Sequence, residues 1–190
     1  MSLDLLSLTL PVRALGHRDL PPVGRAMQSV LLSAAQKAAQ VANISLPDLH
    51  TGSELRPFTA SDLAGHNRYG RVLPHRTYAI RLTSLTAPLS SALLKAATEG
   101  DLRLGETLVL TNAEFMLVSD IAFPREAITT RYRDLALACQ PSERKEASEI
   151  RLWLASPTTF KRDDKQMPFP LPDLLFGSLL RKWNAFCPPA

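Results

Sequence analysis

The segment 6-LSLTLPV-12 lies near the start of the chain and sets its leucines and Val12 at every second position. Ser7 and Thr9 lie between them. Successive side chains of a strand point to opposite faces, so this pattern predicts a strand with one buried and one open face. Such a strand needs an apolar layer to cover it, and the residues that follow provide one.

Two segments with helical periodicity alternate with further strands. Apolar residues from Met27 to Val41 recur at helical spacing, and a second helix is predicted between Thr86 and Gly100. Strands are predicted at 56–63, 78–82, 107–110 and 114–119, the last two forming one strand or a hairpin of two pieces. The order predicts an α+β, ferredoxin-like (RRM-like, βαββαβ) module with both helices on one face of an antiparallel sheet.

The pattern loosens after residue 123. Residues 128–138 could form a short helix, and 140–147 have the composition of a linker. A new strand is then predicted at 150–154, and a helix at 171–186 with Phe176 and Trp183 as core anchors. We therefore divide the chain into a ferredoxin-like module at 1–123, a linker segment at 124–147, and the start of a second, incomplete ferredoxin-like module at 148–190.

Composition excludes several classes of protein. The chain has 190 residues, of which 45% are hydrophobic and 21% charged, which is typical of a folded domain. A net charge of +4 favours a polyanionic partner only mildly. The two cysteines, Cys139 and Cys187, are too far apart in sequence for a metal-ligand pair, and they favour reduced thiols in the cytoplasm. No signal peptide is evident, and no apolar run approaches the roughly 20 residues of a membrane helix.

The stretch Leu49–Leu63 contains the first candidate site residues, His50 and Arg56. An imidazole transfers protons near neutral pH, and a guanidinium can stabilise phosphate charge. Their spacing alone favours a surface loop before a strand, although the pair also suits phosphodiester chemistry.

Two blocks of sequence resemble a known family. The first is Leu49-His50 with 56-RPFT-59 and Ser61, and the second is 156-SPTTFKR-162 with 170-PLP-172, Phe176 and 181-RKWN-184. Both resemble the CRISPR-associated endoribonucleases of the RAMP superfamily, which process repeat RNA precursors. The resemblance covers nearly the whole chain, and it implies a cytoplasmic enzyme without metal or cofactor. Its expected partner is single-stranded or hairpin CRISPR repeat RNA.

The resemblance also implies a reaction and roles. The RNA 2′-hydroxyl would attack the neighbouring phosphorus, leaving a 5′-hydroxyl and a 2′,3′-cyclic phosphate. His50 matches the catalytic histidine, and Arg56 stands where some members carry a phosphate-stabilising lysine. Some members also have a tyrosine on the first helix, but Leu31, Leu32 and Ser33 occupy that region here. The second proton-transfer group is therefore open: Ser29 or Ser33 could orient substrate, and His17 could take part if its loop folds back over His50.

The family binds RNA along a basic cleft. The cations expected to contact RNA are Arg68, Arg71, Arg76, Arg131, Arg133, Lys161 and Arg162. The aromatic residues available for base stacking are Tyr69, Tyr132 and Phe160. His66 and His75 are expected to face RNA or solvent.

One departure from the family keeps alternatives open. Members usually carry a glycine-rich loop near the end of the second module, but none of the eight glycines here forms a Gly-x-Gly cluster. The chain is then either the first part of a longer polypeptide or a shortened form completed by another chain, as a homodimer or in a CRISPR effector complex. The alternative function is a non-catalytic or weakly catalytic RNA-binding RAMP subunit.

Overall fold

The computed structural model describes residues 4–47, 49, 55–65, 71–119, 125–138, 151–152, 160–162 and 165–188, with backbone alone at 160–162. The chain divides into two compact units, Met1–Arg131 and Tyr132–Ala190, which we describe separately.

The first unit combines a large sheet with two helices. Its strands are β1 (Leu5–Ala14), β2 (Arg18–Asp19), β3 (Phe58–Ala60), β4 (Arg71–Val72), β5 (Thr77–Ser84), β6 (Thr107–Leu110), β7 (Ala113–Leu117) and β8 (Glu126–Thr130). Its helices are α1 (Gly24–Ala42) and α2 (Ala87–Glu99).

The large sheet has the predicted ferredoxin-like topology. Its order is β3-β5-β1-β7-β6, with every neighbouring pair antiparallel and β1 in the interior. The two strands that flank α1, β1 and β3, are separated in the sheet by β5. The strands that flank α2, β5 on one side and β6 and β7 on the other, are separated by β1, as the βαββαβ arrangement requires. The α+β fold class and the first five strand positions predicted from the sequence are confirmed.

The alternation in 6-LSLTLPV-12 explains the position of β1. Leu8, Leu10 and Val12 are at most 1% exposed and belong to the core that also contains Leu31 of α1 and Leu93 of α2. A strand buried this completely needs a partner on each edge, and β1 has β5 on one edge with β7 and β8 on the other. The apolar stripes of both helices cover the same face, which makes a two-layer module.

The fourth strand of the module is interrupted. β7 pairs with the C-terminal end of β1, and β8 pairs with its N-terminal half at Leu5–Thr9. Pro11 lies between these segments, and its carbonyl accepts a hydrogen bond from the Val118 N–H on that edge. Because the backbone nitrogen of Pro11 faces the same edge and has no hydrogen, the ladder lacks a donor where β7 ends.

Strand β8 corrects the expected linker at 124–147 and the expected helix at 128–138. Residues 126–130 complete the sheet instead, and the helix begins only at Tyr132. Arg125 fixes the entry to β8, since its Nη2 donates at 2.6 Å to the carbonyls of Ala97 in the last turn of α2 and of Leu102 in the segment after that helix. This strand was missed because it is an edge strand that is mostly exposed and has no apolar alternation.

The second unit contains α3 (Tyr132–Ala138), β9 (Phe160–Arg162), β10 (Lys165–Met167) and α4 (Pro172–Phe186), and β9 and β10 form an antiparallel hairpin. Helix α4 confirms the helix predicted at 171–186. Of the strand predicted at 150–154, the described residues Arg151 and Leu152 have no regular secondary structure, and the others lie outside the described residues.

The expected core anchors of α4 need correction. No residue of α4 is buried: Phe176 is 43% exposed and Trp183 is 36% exposed. Trp183 does pack edge-on against the buried ring of Tyr132, with centroids 5.1 Å apart. Periodicity indicates an apolar stripe in the sequence of α4, but it does not determine how much of that stripe is covered.

Candidate functional site

Arg56 lies two residues before β3, and its side chain reaches helix α1. Its Nη1 donates to Oε1 of Gln28 at 2.6 Å. The guanidinium carbon also lies 5.9 Å from the centroid of the Phe58 ring, within the range of a cation–π contact. Two contacts from different elements therefore orient an exposed cation at the junction of α1 and β3.

The residues after Arg56 bind β3 to its neighbours. The Pro57 carbonyl accepts from the Leu85 N–H at 2.8 Å, and Phe58 is 3% exposed in the core. The hydroxyls of Thr59 and Thr83 are 2.6 Å apart across the two strands. These contacts give Pro57, Phe58 and Thr59 structural roles.

Ser61 and Asp62 extend this attachment to the start of α1. The Ser61 hydroxyl accepts from the Arg81 N–H at 2.9 Å and donates to the Asp62 carbonyl. One carboxylate oxygen of Asp62 accepts from the N–H groups of Val23 and Leu63, at 3.1 and 2.9 Å. A carboxylate suits a helix N-terminus, where unpaired N–H groups carry partial positive charge. Asp62 therefore fixes α1 relative to β3, and with it the separation of Gln28 from Arg56.

Helix α1 presents an amide to Arg56. Leu31 and Leu32, which stand where some family members were expected to carry a tyrosine, are buried in the core. Ser29 and Ser33 are exposed. Sequence reasoning did not identify Gln28 as a site residue. The sequence alone does not tell whether a glutamine on the polar face of a helix contacts another side chain or is only solvated.

Several predicted site residues lie outside the described part of the chain. They are His50, His66, Arg68 and Tyr69. For Phe160, Lys161 and Arg162 the structure gives only their backbone positions in β9. The roles expected for these seven residues stay predictions.

Arg71 and Arg76 are exposed near a small second sheet. β4 pairs with β2, and Arg71 Nε lies 3.3 Å from Asp19 Oδ1. The Arg76 guanidinium carbon lies 5.9 Å from the centroid of the Tyr78 ring. This ion pair is exposed, and such a pair contributes little stability.

The remaining expected contacts differ in accessibility. Arg131 is half-buried at the end of the first unit, and Arg133 is exposed on α3 of the second. Tyr132 is only 5% exposed and packs against Trp183, so it is not available to stack on a base. His17 and His75 are exposed, and His75 has a positive φ of 66°.

Comparison with known proteins extends over both units. The family model described as CRISPR-associated endoribonuclease Cas6 matches residues 152–190. A Cas6 product complex has a TM-score of 0.58 and 23% identity to the chain, covering 97% of this chain and 66% of that one. A Cas6 substrate mimic complex has a TM-score of 0.53 and 20% identity, with coverages of 98% and 65%.

The chain is similar to Cas6 in fold, and in sequence over residues 152–190. The resemblance to CRISPR-associated endoribonucleases predicted from the sequence is confirmed. The similarity to the solved structures is one of fold, and the chain spans about two thirds of the length of these Cas6 proteins. None of the curated proteins matches the sequence.

The family match falls on the second block of the Cas6-like sequence. Residues 152–190 include the β9–β10 hairpin and all of α4. The segment that carries His50 and Arg56 lies outside that match, so their roles rest on the first block. Within the described ranges, no helix is long and apolar enough to cross a membrane.

Proposed function

We propose that this Cas6-like chain is a metal-independent endoribonuclease that cleaves CRISPR repeat RNA. The observation that carries the proposal is the match of residues 152–190 to the Cas6 family in a chain with the Cas6 fold. The similar structures are described as a product complex and a substrate mimic complex of Cas6, so proteins with this fold are known with such ligands.

The reaction needs no group besides RNA and protein side chains. A base removes the proton of the 2′-hydroxyl, the 2′-oxygen bonds to phosphorus, and the bond from phosphorus to the 5′-oxygen breaks. An acid protonates that leaving oxygen, so the products are a 2′,3′-cyclic phosphate and a 5′-hydroxyl. We assign His50 to proton transfer, because an unperturbed imidazole with a pKa of about 6.5 can both accept and donate a proton near neutrality.

We assign Arg56 to stabilising charge on the phosphoryl oxygens. Its contact with Gln28 uses one nitrogen of a guanidinium that has five N–H donors. Held by Gln28 and Phe58, the planar group needs little reorganisation to donate to a phosphate, which is the condition for strong electrostatic stabilisation of a transition state.

Arg71 and Arg76 contribute affinity in this proposal, together with the other cations expected to contact RNA. Binding by phosphate contacts weakens as salt rises, because counterions are released from the nucleic acid. Pairing with a second copy, or assembly into an effector complex, stays a prediction.

The second candidate is an RNA-binding subunit with weak or no cleavage. The absence of tyrosine from the sequence of α1 favours it, as does the burial of Leu31 and Leu32 at the corresponding positions. Both candidates share the RNA ligand and differ in turnover.

One experiment separates them. Repeat RNA from the CRISPR array of the same genome, end-labelled and held in excess chelator, is incubated with the wild type, His50→Ala and the control His75→Asn. Asparagine suits the positive φ of His75, so this control retains the backbone. We expect cleavage by the wild type and control, and a rate at least ~100-fold lower for His50→Ala.

The outcomes are distinct. Tight binding without cleavage by any form selects the RNA-binding subunit. Equal cleavage by His50→Ala and the wild type removes His50 from the mechanism, and loss of cleavage in chelator that metal restores overturns metal independence.

A further inference from the structure

Arg25 is an exposed cation in the first turn of α1, three residues before Gln28. Side chains three residues apart on a helix are neighbours, with Cβ atoms roughly 5–6 Å apart. Gln28 in turn accepts the 2.6 Å hydrogen bond from the Arg56 guanidinium. Arg25 therefore lies on the part of α1 that borders the cation assigned to the cleaved phosphate, and it is not among the cations that the resemblance implies for RNA contact.

The segment that contains Arg56 runs alongside this end of α1. Arg56 is attached to Gln28, and Asp62, six residues later, accepts a hydrogen bond from the Val23 N–H just before the helix. Arg25 lies between Val23 and Gln28 in the chain, so the two attachments enclose it along the helix. The position of Arg25 relative to Arg56 is thus fixed by contacts on both sides.

The two arginines carry positive charge that no carboxylate neutralises in the described part of the chain. The ion pairs found there join other residues, namely Lys37 with Asp101, Arg71 with Asp19, Lys95 with Glu99, and Arg103 with Glu106. Two exposed guanidinium groups that border the same glutamine repel each other, and a bound polyanion turns that repulsion into attraction. The arrangement favours a ligand with negative charges at short spacing, and an RNA strand has one on every nucleotide.

We propose that Arg25 binds the phosphate next to the cleaved one, while Arg56 binds the cleaved phosphate. The charge of the neighbouring phosphate does not change during the reaction. A cation bound to it therefore stabilises the substrate and the transition state equally, so it strengthens binding without raising the rate constant of the bound RNA. The inference rests on the proposed RNA function and adds a residue that holds the strand in position at the cut.

The test pairs a variant that lacks the cation with RNAs that lack one phosphate charge. Three end-labelled repeat RNAs are compared in chelator: one unmodified, one with a neutral methylphosphonate at the first phosphate on the 5′ side of the cut, and one with it on the 3′ side. The nucleotides on either side of the one that supplies the attacking hydroxyl carry 2′-O-methyl groups in all three, which keeps the modified linkages intact.

For the wild type, we expect one of the two methylphosphonates to weaken binding about fivefold, the effect of losing one exposed charge-assisted contact. Arg25→Gln should bind the unmodified RNA about fivefold more weakly, and the same methylphosphonate should then add less than twofold, because the two changes remove one contact. The single-turnover rate constant of Arg25→Gln with saturating enzyme should stay within about twofold of the wild type.

The matched control is Arg103→Gln, which removes the same charge from an exposed arginine that is already paired with Glu106. This control should retain the wild-type affinities for all three RNAs. Glutamine has a helix propensity close to that of arginine, so Arg25→Gln should melt within a few degrees of the wild type.

Three results would overturn the role of Arg25 while leaving the RNA function intact. They are wild-type affinity in Arg25→Gln, full multiplication of its loss with that of either methylphosphonate, and a rate constant that falls tenfold or more for bound RNA. A wild type that does not bind or does not cleave the unmodified RNA would instead reject the proposed endoribonuclease, and the role of Arg25 with it.

Discussion

The contact between Arg56 and Gln28 predicts a specific pattern of coupled mutations. If Arg56 stabilises the phosphoryl charge, Arg56→Ala should lower the cleavage rate constant ~100-fold, which is the low end of the loss for one transition-state donor. Gln28 contacts Arg56 through a single hydrogen bond at an exposed site. Losing a bond of that kind contributes about 1 kcal/mol, so Gln28→Ala should be ~5-fold slower through poorer orientation of the guanidinium.

The double variant makes the reasoning quantitative. Once Arg56 is replaced by alanine, Gln28 has no guanidinium to orient. The cleavage rate constant of the double variant Arg56→Ala with Gln28→Ala should therefore lie within about twofold of that of Arg56→Ala alone. Arg56→Lys retains a positive charge but loses the planar fork, and we expect an intermediate loss of about tenfold. Single-turnover cleavage of end-labelled RNA with enzyme in excess gives the rate constants directly. The matched control is Gln166→Ala, which removes an exposed amide from β10 in the second unit.

Three results would refute the positioning role of Gln28. The first is a loss in Gln28→Ala that multiplies fully with that of Arg56→Ala, since independent effects add in free energy. The second is wild-type cleavage by Gln28→Ala. The third is a large fall in melting temperature, since Arg56 is exposed and Gln28 is only half-buried, so that truncating either should change the free energy of unfolding by no more than about 0.5 kcal/mol.

Three further outcomes follow from the fold and the charges. Leu10 is 0% exposed, and Leu10→Ala should lower the free energy of unfolding by about 3 kcal/mol in urea denaturation. Val109 is 60% exposed, so an equal effect of Val109→Ala would contradict the assignment of Leu10 to the buried face of the sheet and Val109 to the exposed face. Partial burial lowers the pKa of the Arg125 guanidinium. Arg125→Met should lower the free energy of unfolding by about 2 kcal/mol, because the carbonyls of Ala97 and Leu102 lose their donor. An unchanged free energy of unfolding would show that β8 does not need the Arg125 hydrogen bonds. Replacing Arg71 and Arg76 with alanine should weaken RNA binding and reduce the slope of log affinity against log salt by about 0.7 for each phosphate that is no longer neutralised, and an unchanged slope would show that neither arginine binds the RNA backbone.

The sequence predicted the sheet well where burial and periodicity agree. Leucines at alternate positions predicted β1 as a strand with one buried face, because that pattern is difficult to satisfy in any other element. The same rule failed for β8, where Ile128 is 53% exposed. Edge strands are held by backbone hydrogen bonds and by contacts such as that of Arg125, which depend on residues distant in sequence.

The site was less accessible to sequence reasoning for a similar reason. Arg56 was identified because a cation near a histidine suggests chemistry, but its partner Gln28 is 28 residues away on a helix predicted separately. The chain reversal after α1 depends on the left-handed conformation of Asn43, which the sequence alone permits without requiring.

The residues of the first sequence block that resembles the family fall into two groups, those that hold the fold together and one that suits phosphate chemistry. Pro57, Phe58, Thr59 and Ser61 have roles in joining β3 to β5, so their presence follows from the fold whether or not the chain cleaves RNA. Arg56 differs from them, because its side chain is exposed, contributes little to the core, and is nevertheless oriented by two contacts. An oriented exposed cation has little value for stability and considerable value for binding a phosphate. A Cas6-like chain that had lost catalysis could retain the first four residues indefinitely, whereas the Arg56–Gln28 contact is what a working active site would maintain.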